Sequence, residues 1–142
     1  MNREPIHSAL FTLVQSCASF KVASRILKHW TDVNDADMPA IFQAHKNDVP
    51  TYLGKDFPPK WTMNFDLYIY VNTKGDPSVS PAQVMNPILD ALETALGGKP
   101  NAYTQTLGGL VSHCRIAGQT QTDEGTLGEL GVAIVPIEIV VP

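Results

Sequence analysis

The 142 residues are most simply one domain, long enough to bury about two-thirds of the surface an unfolded chain exposes. An apolar fraction of 44% beside 17% charged residues excludes a disordered or fibrous chain. The net charge of −4 leaves no electrostatic footprint for nucleic acid and disfavours an anionic membrane surface, and no apolar run is long enough to span a bilayer.

The chain opens with MNREPIHSALFTLV, in which an acid precedes apolar residues at helical spacing, a pattern unlike a signal peptide. Glu4 and Pro5 suit a first helical turn, because proline there forfeits only a donor that has no partner anyway. Ile6, Leu10, Leu13, Val14 and Cys17 then form one apolar stripe. Phe20 to Trp30 fits either a strand or a helical face, and the β-branched Val22 and Ile26 favour the strand. Thr31 to Pro39 (TDVNDADMP) is a turn rich in Asp and Asn. A short strand from Ala40 to His45 follows, so a β-hairpin with a long polar connection is expected. Lys46 to Pro59 contains three prolines and a glycine and is read as a loop. Its Tyr52, Leu53 and Phe57 either bind something or fold back onto the core.

Lys60 to Thr73 organises the rest. Trp61, Met63, Phe65, Leu67, Ile69 and Val71 alternate with Thr62, Asn64, Asp66, Tyr68, Tyr70 and Asn72. A period of two has no helical explanation, so this is a strand with one dry and one polar face, and helices cover one side of its sheet. Lys74 to Val79 is a turn. Ser80 as N-cap, Pro81 at the first helical position and Gln83 at the third announce a helix with a capping box. Met85, Ile88, Leu89, Leu92, Ala95 and Leu96 form its buried stripe, Pro87 should kink it, and Gly97–Gly98 end it.

Two strands are expected to close the chain, over Leu107 to Thr122 and Gly131 to Val141. In the second, Ala133, Val135, Ile137 and Ile139 oppose Val132, Ile134 and Val140, so both faces are apolar. Pro136 within it implies an edge or a bulge. Such a strand needs a second cover, either a neighbouring subunit or the first helix crossing over it. The expected fold is therefore α+β: a two-layer domain spanning 1–142, with a mostly antiparallel sheet, two helices on one face, and the order α-β-β-β-α-β-β.

Chemical signatures are weak. His7, His29, His45 and His113 have no metal-ligand spacing, so no metal or cofactor is expected. Cys17 and Cys114 lack any activating motif and read as reduced, buried, small hydrophobes of a cytosolic product. Asp32, Asp35 and Asp37 lack the spacing of a calcium loop. Asp123, Glu124 and Glu129 are either solvated turn residues or a paired acid and base. Neither glycine pair, Gly97–Gly98 or Gly108–Gly109, forms a phosphate cradle. The strongest binding candidates are Tyr68 and Tyr70 beside Asn64, Asp66 and Asn72. Aromatics on an open sheet face can stack nucleic acid, but here Asp66 and the acidic chain favour contact with protein; the alternative is tyrosines packed across strands.

A family pattern emerges from Ser24-Arg25 with Trp30, Pro39-Ala40-Ile41-Phe42, Pro58-Pro59-Lys60-Trp61, Leu67-Tyr68-Ile69-Tyr70-Val71 and Leu107-Gly108-Gly109-Leu110-Val111. Over nearly its whole length the chain resembles tailed-phage and prophage morphogenesis proteins, in particular the tail terminators of the minor tail protein U type. The resemblance implies a non-enzymatic virion protein, assembled in the bacterial cytoplasm and located where tail meets head. It would form a homo-oligomeric ring, commonly a hexamer, that caps the tail tube protein, stops tube growth and offers a surface to the head–neck protein. No sequence-specific nucleic acid or membrane partner is implied. On this reading the contact residues are Tyr52, Phe57, Asp66, Tyr68, Tyr70, Ile134 and Val140. The rivals are a head–tail joining protein and a small enzyme or ligand-binding domain using Asp123, Glu124 or the Tyr52–Phe57 loop.

Overall fold

The alternation in the central strand sets the architecture. In the computed structural model, which describes residues 1–97, 104–125 and 128–142, the strand β3 spans Lys60–Asn72. Its Met63, Phe65, Leu67, Ile69 and Val71 are at most 1% exposed. Each such side chain contributes roughly 1.5–3 kcal/mol of burial before conformational entropy is subtracted. The other elements are α1 (Arg3–Ser16), β1 (Val22–Ser24), β2 (Ala40–Thr51), α2 (Pro81–Leu96), β4 (His113–Ile116), β5 (Gln121–Gly125) and β6 (Gly128–Val141). The sheet runs β1-β2-β3-β6-β4, with β5 also paired to β6; the β1–β2 pair is parallel and the other pairs among the described residues are antiparallel. This is the expected α+β fold. The helices bury Ile6, Leu10 and Val14 of α1 and Met85, Ile88, Leu92 and Leu96 of α2 in one core with the dry face of β3. Gln83 accepts the Ser80 N–H at 2.8 Å, completing the return half of the capping box. Helix α2 continues through Pro87 and ends at Gly97; the second stop residue, Gly98, lies outside the described residues.

Four local expectations are corrected. The stretch from Phe20 to Trp30 contributes only the three-residue β1, and it joins β2 in parallel, not as a hairpin. The connection between them crosses the second face of the sheet through two 3₁₀ turns, Trp30–Asp32 and Asp35–Asp37. It buries Val33 and Met38 on Phe42, Tyr70 and Leu130, so this segment is a cover and not a solvated turn. Second, Lys46–Thr51 is not loop but a continuation of β2. A bulge between His45 and Asn47 hides the alternation, and past Phe42 β2 is the sheet edge, where Pro50 needs no partner for its missing donor.

The third correction concerns Pro136. Strand β6 is not an edge: β3 lines one side, β4 and β5 the other. Residues 117–120 leave a break between β4 and β5, and the Ala117 N–H donates to the Pro136 carbonyl at 3.0 Å across it. A strand residue aims its N–H and C=O to the same neighbour, so the missing proline donor faces this break. Fourth, α1 does not cross the outer face of β6, because it shares the inner core with α2. That outer face keeps Ile134 and Val140 half-buried.

Helix α1 also ties down the free end of the β2–β3 hairpin. Arg3 donates to Asp48 at 2.8 Å and lies 5.3 Å over the Trp61 ring. His45 Nε2 lies 2.7 Å from the other Asp48 oxygen, and the His7 and His45 rings flank Phe65 at 4.8 and 5.1 Å. Burial, and then the nearby His45, holds the His7 imidazole below its ordinary 6.5. The unfolded chain takes up this proton more readily than the native one. Stability from this group is therefore complete above pH 6.5 and falls as pH drops from there towards the lowered native value. Urea unfolding between pH 8 and pH 5 should show the loss, at roughly these endpoints, and His7→Leu should reduce the slope. An unchanged slope would mean that His7 is solvated.

Candidate functional site

The second face of the sheet is covered only in part. The segment before β2 roofs Phe42, Tyr70 and Leu130, whereas the rest of the face, down β3 and β6, has no covering element among the described residues. At the boundary lies an open cleft of about 620 Å³. Tyr68, Val132 and Ile134 form its floor, His29 and Trp30 one wall, and Asp123 and Glu124 on β5 the other. The strand register explains the grouping. Tyr68 is directly opposite Ile134, and Asp123 is directly opposite Val132, so all four point to the same face.

The expected contact residues separate into three places. Tyr68 and Ile134 meet in the cleft. Asp66 and Val140 lie further along the same open face, Asp66 beside the Lys46 ammonium at 3.7 Å. Tyr52 and Phe57, with Leu53, stand at the tip of the β2–β3 hairpin, 67%, 65% and 73% exposed respectively. Tyr70 is a correction: it is 2% exposed and its hydroxyl donates to the Lys28 carbonyl at 2.7 Å. Burial, with a smaller effect of Tyr68, pushes its phenol up to about 12. Tyr70 anchors the cleft wall and is not a free contact surface.

Asp123 and Glu124 belong to a strand and not to a solvated turn; Thr126 and Leu127, between them and β6, lie outside the described residues. Sequence reasoning missed His29, Trp30 and Val132 as cleft residues. Trp30 was visible as a large aromatic just before a polar segment, but nothing local says that the segment folds over Tyr70. Cys17 and Cys114 are free thiols, both raised by burial, Cys114 to about 12, which suits packing and not nucleophilic chemistry. Among the described residues no group of three or more His, Cys, Asp or Glu is placed to hold a metal ion, and no helix is long and apolar enough to cross a membrane.

Chemically, the cleft offers an aromatic and aliphatic floor with two carboxylates on one rim. That combination suits an apolar or aromatic side chain accompanied by a cation. No family model matches the chain, and no curated protein matches it. A solved structure of another protein is similar over 100% of this chain and 96% of its own, with a TM-score of 0.52 and 17% identity. At that identity the likeness shows the fold alone.

Proposed function

We propose that the chain is a structural protein of a phage tail, forming a closed ring that caps the tail tube, ends its polymerisation and prepares the tail for head joining. Its work is binding alone, with copies of itself, the tube protein and the head–neck protein as partners, at the tail–head junction of the virion. Six copies is the number that the resemblance implies.

The observation that carries this reading is the uncovered half of the second sheet face. Ile134 and Val140 are half-buried there, on a strand whose inner face is fully packed, and no element among the described residues covers them. A neighbouring subunit is the cover that a ring provides. The resemblance across nearly the whole chain, the two-layer α+β fold and the aromatic hairpin tip agree with it.

The test is electron microscopy of particles from a lysate in which this gene is disrupted. Abnormally long tail tubes are expected. Tails of normal length, detached from filled heads, would overturn capping in favour of head–tail joining. Intact infectious particles would remove both virion roles and turn attention to the cleft as a ligand site.

A further inference from the structure

The exposed hairpin tip and the cleft lie at opposite ends of the sheet, and their chemistry is complementary. Trp61 pairs with Val141 at the last position of β6, and among the described residues no third strand accompanies the hairpin past that pair. Its tip, between Thr51 and Lys60, therefore projects past the body of the sheet. Tyr52, Leu53 and Phe57 put a concentrated apolar surface there. The tip is also ordered internally: the Phe57 N–H donates to the Gly54 carbonyl at 3.3 Å, and the Phe57 ring packs so closely that a Cβ on Gly54 would meet it at 2.9 Å. Below the tip, Arg3 clamps Asp48 and Trp61.

The tip cannot enter the cleft of its own chain. Tyr68 lies seven steps of extended strand beyond Trp61, a span of roughly 23 Å at ~3.3 Å per residue, and the tip points away from the cleft. Lys55 and Lys60 flank the tip aromatics, against a single acid, Asp56, whereas the cleft rim carries Asp123 and Glu124. An apolar tip with a cationic flank matches an apolar floor with an anionic rim.

We infer that the Tyr52–Phe57 tip of one copy docks in the Tyr68–Ile134 cleft of the next. The occupant is a second copy of this chain, and the contact is heterologous, tip to cleft, leaving the pair with one free tip and one free cleft. Repetition of such a contact builds a ring or a filament. This deepens the ring reading and rests on it for closure; the contact itself follows from the placement of the two surfaces.

The experiment uses the full chain and measures association by sedimentation velocity. The wild type should self-associate, and Phe57→Asp, which changes an exposed side chain, should weaken this by roughly tenfold or more. Ile134→Asp should weaken it comparably, and Glu124→Lys serves as a second cleft variant on an exposed strand should Ile134→Asp fail to fold. The decisive sample is an equimolar mixture of the Phe57 and cleft variants. The cleft variant still has a sound tip, the Phe57 variant a sound cleft, so the mixture should form a 1:1 dimer and nothing larger. A mixture that stays monomeric overturns the contact, as does a wild-type chain that never associates. Association of the wild type that neither change weakens overturns the contact while leaving capping intact. If the contact is verified but Phe57→Asp phage have tails of normal length, the capping role fails and the contact stands.

Discussion

Phe65→Ala is expected to cost about 3–5 kcal/mol of folding stability, the largest loss from any single truncation on β3. Phe65 is 1% exposed at the middle of the strand, opposite His45 on β2 and Ile137 on β6. The rings of His7 and His45 pack on it from α1 and β2. Truncation removes an aromatic payload and leaves a void beneath three elements. These cannot all close on it, because β2 and β6 are held by their ladders to β3. A domain of this size has a net stability of roughly 5–15 kcal/mol, so the variant should sit near its unfolding threshold. Urea unfolding with an unchanged m-value measures the loss directly. A cost under about 1.5 kcal/mol would mean that the core around α1 collapses freely and that the helix is not anchored as described.

Gly131→Val is expected to destabilise the fold by roughly 1–3 kcal/mol through overpacking, with Gly131→Ala intermediate. Gly131 is buried in β6, and a Cβ there would lie 2.9 Å from both the Pro81 Cβ and the Val71 Cγ2. Neither neighbour can yield by rotating. Pro81 is a ring at the first residue of α2, and Val71 is a fully buried β-branched side chain. The helix itself must lift. Since α2 supplies Met85, Ile88, Leu92 and Leu96 to the core, a small displacement at its start loosens contacts along its length. The same strand position adjoins Val132, so the valine variant should also weaken association if the tip docks in the cleft. Unfolding midpoints unchanged in both variants would show that α2 does not rest on the β6 backbone.

Much of the framework is legible from local pattern. The period of two in Trp61 to Val71, and the sequence Ser80-Pro81-Ala82-Gln83 followed by apolar residues at helical spacing, each state an element and its buried face. These signals are strong because burial of one face dictates side-chain type at every second, or every third and fourth, position. Proline was the residue most easily misread. Pro50 lies within a strand because that part of β2 is an edge, and Pro136 lies within an inner strand because its neighbour happens to be broken there. Both depend on which backbone lies alongside, a property that neither residue nor its sequence neighbours encode.

The candidate surface divides along the same line. The sequence by itself determined that Tyr68 and Asp66 lie on the polar face of their strand, away from the helices, because alternation assigns every residue of a strand to one side; for Ile134, on a strand apolar on both faces, it left the side open. It also determined that Tyr52 and Phe57 sit between strands and not within them. Only the tertiary structure decided that β1 pairs in parallel, that the segment after it roofs Tyr70, and that β5 brings Asp123 and Glu124 into one cleft with Tyr68 and Ile134. The physical reason is range. Facing is set by the local geometry of one strand, whereas a cleft is set by how segments distant in sequence trade loop-closure entropy for burial, and that balance is struck only when the whole chain is folded.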